Sequence, residues 1–231
     1  MRDVLKQPLF KGLNKLMATL SSSGKHKYNV MKKVNLMGMA LGLLLTSQVL
    51  AQDVHLGLKA GVNAYNTVVA DRNTGGKLAA VDYKPGFHVG GLAHIHLSPR
   101  WAVQPELMYS GQGGRQTVSG VETRWNTNYI NVPILAQFMF GDGFRVQAGP
   151  QIGFLTSAKM IREGNTSNVT QNYNPIDAGL ATGLSYVGAT GLGVDARWVF
   201  GLTNINKGTA TTYTRNNGAQ VGIFYLLNYH R

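Results

Sequence analysis

Residues 144–154 of the chain, FRVQAGPQIGF, alternate between two kinds of side chain. One set is apolar and comprises Phe144, Val146, Ala148, Pro150, Ile152 and Phe154. The set between them is polar or small and comprises Arg145, Gln147, Gly149, Gln151 and Gly153. Because successive side chains of a β-strand point to opposite sides, this period of two predicts a strand with one apolar and one polar face.

Seven further segments alternate in the same way, so the sequence predicts eight strands. These segments are residues 54–62, 87–97, 101–109, 130–140, 177–187, 192–200 and 220–229. Each is about 10 residues long, which is enough to cross a bilayer when the strand is tilted. Short turns are predicted at 98–99, 141–143 and 188–191, and long polar loops at 64–82, 112–126, 159–175 and 203–216. The pattern predicts an all-β protein, an eight-stranded antiparallel up-and-down transmembrane β-barrel.

The two faces indicate whether this barrel belongs in water or in lipid. A soluble barrel of the lipocalin type has polar residues outside and an apolar interior, whereas a membrane barrel has the reverse arrangement. In 192–200 the larger apolar residues, including Val194 and Trp198, again share one face, opposite Asp195 and Arg197. We therefore expect a barrel of the bacterial outer membrane, with the short turns in the periplasm and the long loops outside.

The N-terminal region has the features of a targeting segment. Residues 31–51 combine Met31-Lys32-Lys33, an uncharged run rich in leucine and a small residue at Ala51, which is typical of a secretory signal peptide. Residues 1–30 are too long for the start of such a peptide, and we interpret them as a non-native extension or unstructured leader. The barrel domain is then 52–231.

Charge and composition exclude several classes of function. Residues 1–51 carry +7 of the formal net charge of +12, so the predicted domain carries only +5, and a nucleic-acid partner is not expected. The chain has no cysteine, which excludes disulfides, a thiolate nucleophile and a cysteine-ligated metal. No nucleophile elbow, zinc-protease motif or phosphate-binding loop occurs. We expect no enzymatic activity and no cofactor.

Several motifs along the domain resemble one family. Asn128–Ala136 is similar to a "Tyr-x-x-x-Pro" strand, and Phe144–Pro150 to an "aromatic…Gly-Pro" strand, of the PorT-like bacterial outer-membrane β-barrels. Asp177–Leu184 and Asp195–Ile205 resemble the later "Asp-x-Gly" and "Asp-x-Arg-aromatic" strands of that family. The resemblance implies a small eight-stranded barrel of the OmpA/OmpX type. It implies no catalytic residues.

The charged residues on the polar faces are the candidate site. They are Lys59, Glu106, Arg145, Asp195 and Arg197, and we expect them to form ion pairs in the barrel lumen, because isolated buried charges are costly. A gated polar pore through the same residues is the alternative. The 29 glycines are expected to leave room in the narrow lumen for these long side chains.

Three histidines fall on the lumen face of one predicted strand. They are His88, His94 and His96, and the spacing of the last two can ligate zinc from a strand. No further ligand set converges with them in the sequence. We therefore interpret them as lumen-lining histidines and expect no metal.

These observations predict a non-enzymatic outer-membrane protein with a structural or surface-interaction role through its long loops. The alternative is a PorT-like accessory of protein secretion or a narrow solute pore. The expected partners are outer-membrane lipids, the barrel insertion machinery, and envelope or secretion proteins.

Overall fold

The structure is a computed structural model that describes residues 54–71, 73–207 and 211–229. The predicted extension at 1–30 and signal peptide at 31–51 lie outside the described residues. The strands are β1 (Val54–Asp71), β2 (Lys77–Ala80), β3 (Asp82–Ser98), β4 (Trp101–Val118), β5 (Val121–Phe140), β6 (Phe144–Arg162), β7 (Asn165–Asn168), β8 (Ile176–Val187), β9 (Leu192–Gly201) and β10 (Thr212–Leu226). One 3-10 helix spans Thr170–Asn172. In these ranges no helix is long and apolar enough to cross a membrane.

Eight of these strands form a closed antiparallel barrel. Each pairs with the next barrel strand along the chain, in the order β1, β3, β4, β5, β6, β8, β9, β10. The ring closes because β1 pairs with β10, from Gly57 opposite Leu226 to Asp71 opposite Thr212. The short strands β2 and β7 pair with the outer ends of β1 and β6. This arrangement confirms the predicted up-and-down fold.

The connections at one end are as short as predicted. Pro99 and Arg100 link β3 to β4, residues 141–143 link β5 to β6, and residues 188–191 link β8 to β9. Gly141, Gly143 and Gly191 have positive φ angles of 54°, 103° and 85°, which glycine adopts without strain. The loops at the other end are much shorter than predicted, because the strands continue into them. β4 and β5, for example, stay paired up to Val118 opposite Val121.

This difference has a physical reason. The predicted loops were identified by their polar residues, but threonine and asparagine can occupy a strand once it leaves the lipid. Above the bilayer neither face needs to be apolar, so the alternation disappears while the backbone pairing continues. The outer ends of β4, β5 and β6 are therefore polar hairpin extensions and not open loops.

The apolar residues of the strands face outward. On β6 every residue of the apolar face from Phe144 to Phe154 is exposed. The polar residues between them, Arg145, Gln147 and Gln151, are buried. The same inversion holds on β9, where Leu192 and Val194 are exposed while Asp195 and Arg197 are buried. An apolar exterior around a polar interior is the arrangement of a barrel surrounded by lipid.

Aromatic side chains mark the lower edge of this apolar band. Near the short turns, the rings form a chain of contacts from Trp101 through Phe138, Phe140 and Phe144 to Tyr186, with centroid distances of 5.1, 6.4, 6.1 and 5.0 Å. Aromatic girdles of this kind lie at the membrane interfaces of outer-membrane barrels. The short turns therefore sit just beyond one interface, and the polar hairpins project from the other.

Candidate functional site

A layer of four charged side chains crosses the lumen. We call the set Lys59, Glu106, Asp195 and Arg197 the ion-pair layer. Lys59 lies on β1, Glu106 on β4, and the other two on β9, so the layer joins strands that are not neighbours in the barrel. All four residues are buried, with exposures of 2, 3, 4 and 6%.

The centre of the ion-pair layer is a two-pronged contact between Arg197 and Glu106. Arg197 Nη1 donates to Glu106 Oε2 at 2.7 Å, and Nη2 donates to Oε1 at 2.6 Å. Paired parallel hydrogen bonds of this type are among the strongest that proteins form. Gln104 Nε2 also donates to Glu106 Oε1, at 2.7 Å. The carboxylate is thus held from two directions.

The second half of the ion-pair layer is built on Asp195. Lys59 Nζ donates to Asp195 Oδ2 at 2.5 Å, and Arg197 Nε lies 2.7 Å from the same oxygen. Lys59 Nζ is also 4.0 Å from Glu106 Oε2. The two cations and two anions therefore form one connected, charge-neutral group. A neutral, hydrogen-bonded group reduces the cost of burying each charge, whereas an isolated charge there would be strongly unfavourable.

Arg145 was predicted as a further member of the ion-pair set, but it lies elsewhere. It sits near the start of β6, close to the short turns, and is only 1% exposed. Its Nη1 lies 3.4 Å from His94 Nδ1, and its Nη2 donates to the Tyr229 hydroxyl at 3.3 Å. Sequence parity placed Arg145 on the correct face but not at the height of the other four charges.

The three predicted lumen histidines occupy two levels. His88 is buried beside the ion-pair layer, where it lines a small cavity with Lys59, Glu106 and Arg197. His94 is fully buried lower in the lumen, and its ring centroid is 4.5 Å from that of His96. Sequence reasoning missed His55, whose ring centroid lies 5.7 Å from that of His96. Among the described residues, no group of three or more His, Cys, Asp or Glu side chains could hold a metal ion.

A cavity of about 480 Å³ opens at the short-turn end of the barrel. We call it the periplasmic vestibule. Its walls include His55, His96, Arg100, Arg145 and Tyr229. Sequence reasoning did not find the vestibule, because its walls come from four strands, two turns and the segment after β10, most of which are distant from one another in the chain.

Above the ion-pair layer the lumen is filled by uncharged polar side chains and one carboxylate. Gln220 Nε2 donates to the Tyr65 hydroxyl at 2.9 Å, across the β1–β10 seam. Asp177 accepts hydrogen bonds from Thr203 Oγ1 at 2.9 Å and from Asn216 Nδ2 at 3.3 Å. Asp177 and Gln220 share the inward parity of the predicted strands, so the same signal could have found them, whereas Tyr65, Thr203 and Asn216 lie in segments predicted as loops.

The lumen leaves little free space around the ion-pair layer. One enclosed cavity borders the layer and another lies above it, and each offers about 10 Å³ to the centre of a water molecule. This is room for about one water molecule. Asn131 and Gln151 line both cavities and separate them.

In the described part of the chain, eight strands close into a ring with an apolar outer face and an aromatic girdle. These features define the protein as a transmembrane β-barrel of the small eight-stranded class. The model of the family described as "Outer membrane protein beta-barrel domain" matches residues 47–207. The chain belongs to that family, and its location is the bacterial outer membrane.

Solved structures of small outer-membrane barrels are similar to this chain at low sequence identity. Neisserial surface protein A (NspA) is 15% identical, with a TM-score of 0.49, over 73% of this chain and 96% of that one. Ail of Yersinia pestis is 15% identical, with a TM-score of 0.42, over 76% and 99%. OprG of Pseudomonas aeruginosa is 11% identical, with a TM-score of 0.41, over 78% and 98%. A comparison with curated proteins finds no match.

Proposed function

We propose that this protein is a non-enzymatic surface-interaction protein whose lumen is closed to solutes and whose working surface is its outer hairpins. The observation that carries the proposal is the ion-pair layer. The four side chains form a neutral group that connects β1, β4 and β9 across the lumen by hydrogen bonds of 2.5–2.7 Å. Water-sized cavities beside it leave no continuous path for a solute.

The outer hairpins support the second half of the proposal. The tip of the β4–β5 hairpin is exposed from Arg115 to Gly120. Arg115 of β4 lies opposite Arg124 of β5 near the base of this tip. The hairpin therefore presents cationic side chains above the membrane. Strand β7 pairs with β6 to form a second exposed hairpin around Glu163 and Gly164. Rigid, polar hairpins suit recognition of a partner better than they suit transport.

Planar-bilayer recording tests the closed lumen. We expect the purified full chain, once shown to be folded by its heat-modifiable gel migration, to produce no conductance steps. A small pore needs a continuous water path, and the ion-pair layer interrupts it. Regular, voltage-independent conductance steps from folded protein would contradict the proposal and favour the pore.

Shortening one hairpin tests the surface role. Replacing residues 117–122 by Asn-Gly joins the paired positions Gln116 and Thr123, which are of the same hydrogen-bonded kind as Val118 and Val121, with a favoured two-residue turn, so the barrel below keeps its register. In a deletion strain, we expect this variant to reach the outer membrane but not to restore adhesion or envelope integrity. The control is the replacement of Glu163 alone by Asn, which puts the same Asn-Gly turn between β6 and β7 without shortening the hairpin. Full restoration by the shortened variant would exclude the β4–β5 hairpin as the working surface.

A PorT-like role in secretion is the second candidate function. The observation that favours it is the periplasmic vestibule, a cavity of about 480 Å³ at the short-turn end whose walls include Arg100 and Arg145. The deletion strain separates the two functions. Normal secretion with altered adhesion or envelope integrity supports the surface role, and lost export supports the secretion role.

A further inference from the structure

A groove on the lipid-facing side of the barrel combines an apolar floor with two cations. It lies at the outer ends of β1, β9 and β10 and has a volume of about 350 Å³. We call it the outer groove. Its floor includes Val68, Phe200 and Leu202, and its cationic side chains are Lys77 and Arg215. No acidic residue is among its lining residues in the described part of the chain.

The strand register explains why these side chains converge. Val68 of β1 lies opposite Arg215 of β10, and Asn217 of β10 lies opposite Phe200 of β9. Strand β9 ends at Gly201, whereas β10 continues outward to Thr212. A notch therefore opens beyond the end of β9, and the outward side chains of β10 form one of its walls.

The cations in the outer groove have no carboxylate partner. Within the described ranges, neither Lys77 nor Arg215 is within 4.0 Å of a carboxylate oxygen. The Arg215 guanidinium lies over the Tyr213 ring, 4.2 Å from its centroid, which fixes its position. Its Nε atom is buried and has no hydrogen-bond partner among the described residues. The nearby Asp71 carboxylate instead accepts hydrogen bonds from the backbone amides of Asn73 and Thr74.

The height of the outer groove matches the polar edge of the outer leaflet. Near the outer ends of the strands, the rings of Trp198 and Tyr83 lie 6.5 Å apart and mark the upper edge of the apolar band. Trp198 is paired with Ala219, and Arg215 lies four residues beyond Ala219 along β10. Four residues of a tilted strand rise about 10 Å along the membrane normal. Phe200 lies opposite Asn217, two residues nearer the acyl chains than Arg215, whereas Val68 lies directly opposite Arg215, so the cations and the upper part of the floor are level with the lipid headgroups.

We propose that the outer groove binds a phosphate-bearing lipid of the outer leaflet. The phosphate contacts Lys77 and Arg215, and the first carbons of an acyl chain, next to the headgroup, pass Val68 and Leu202 and continue down over Phe200. An anionic polysaccharide would use the cations but not the exposed apolar floor, so the lipid fits the groove better. The inference rests on the protein's location in the outer membrane and is independent of the proposed surface function.

Native mass spectrometry in a neutral detergent tests the proposal with the full chain purified from outer membranes. The probes are lipid A with two phosphates and the same lipid stripped of its phosphates. We expect the phosphorylated lipid to bind roughly 10- to 30-fold more tightly, because each basic residue strengthens the binding of an anionic headgroup. We expect the double variant Lys77→Gln, Arg215→Gln to lose this difference.

A matched control removes two cations elsewhere on the outer end. The variant Arg124→Gln, Lys159→Gln has the same change in net charge on β5 and β6 and should bind both lipids as the unchanged protein does. Equal binding of the two lipids by the unchanged protein, or equal losses in both double variants, would overturn the proposal. Full competition by millimolar inorganic phosphate would also overturn it, since the groove would then take free phosphate and not a lipid.

Discussion

Replacing Glu106 by alanine is expected to destabilise the barrel by about 3–5 kcal/mol, because it leaves buried cations without their partner. Glu106 accepts two hydrogen bonds from Arg197 and one from Gln104, and its exposure is only 3%. Without it, the two cations of the ion-pair layer would share the single carboxylate of Asp195. Urea unfolding in lipid vesicles, followed by tryptophan fluorescence, measures the free energy of unfolding.

The chain offers a matched control for this variant. Glu122 also pairs with an arginine, Arg124, but at the exposed tip of the β4–β5 hairpin. Solvent screens an exposed pair, which contributes little to stability, so Glu122→Ala should leave the free energy of unfolding nearly unchanged. If both variants lost less than about 1 kcal/mol, the ion-pair layer would not contribute to stability as its geometry indicates.

A double variant separates the interaction between Glu106 and Arg197 from the cost of burying each of the two side chains. Replacing Glu106 and Arg197 together by glutamine removes one cation and one anion, and the remaining Lys59–Asp195 pair is still neutral. Residues in direct contact are not additive, with interaction energies of about 0.5–3 kcal/mol. We therefore expect the double variant to lose less free energy of unfolding than Glu106→Gln and Arg197→Gln lose when their separate losses are added.

Local sequence patterns predicted the faces of the strands but not the heights of the side chains. The period of two assigned Arg145 and Arg197 correctly to the interior, because a strand turns each second residue inward. The predicted turn at 141–143 already puts Arg145 close to the short turns, but the sequence could not show that Arg197 meets Glu106, since their relative height depends on the register between strands. That register is set by pairings such as Gly183 with Arg197, which join residues that are distant in the chain.

Polarity also gave a wrong boundary at the outer ends of the strands. Residues such as Thr117 and Thr123 lie in a segment that was predicted as a loop, yet they belong to β4 and β5. Lipid-facing apolar residues were the signal for a strand, and that signal ends at the membrane surface. The strands continue because their backbone groups still pair with each other outside the lipid. The composition of a hairpin above a membrane therefore resembles that of a loop.

The glycines were predicted to leave room for the long charged side chains of the lumen, and the register shows two that leave room for aromatic rings. Gly218 lies directly opposite Tyr65, and Gly193 lies directly opposite Phe224. A Cβ atom at Gly218 would be 2.4–2.6 Å from three atoms of the Tyr65 ring, and one at Gly193 would be 2.2–2.7 Å from the Phe224 ring. At each glycine, an aromatic ring of the neighbouring strand thus occupies the space that a side chain would take.

Gly218→Ala is therefore expected to lower the free energy of unfolding by about 2–3 kcal/mol through overpacking. The Tyr65 ring cannot easily move away, because it is 1% exposed and packs with Leu135, Ala181 and Val199. Its hydroxyl also accepts the hydrogen bond from Gln220, which a displaced ring would lose. The measurement is the same urea unfolding in vesicles.

The control is a glycine with free space around it. A Cβ atom at Gly91 would approach no atom more closely than 3.7 Å, so Gly91→Ala should change the free energy of unfolding by less than about 0.5 kcal/mol. Combining Gly218→Ala with Tyr65→Leu removes the ring that the new methyl group meets, and this pair should be less destabilised than the sum of its single variants. Equal stability of Gly218→Ala and Gly91→Ala would show that the ring has room to move, and the glycine would then be there for another reason than the space it leaves.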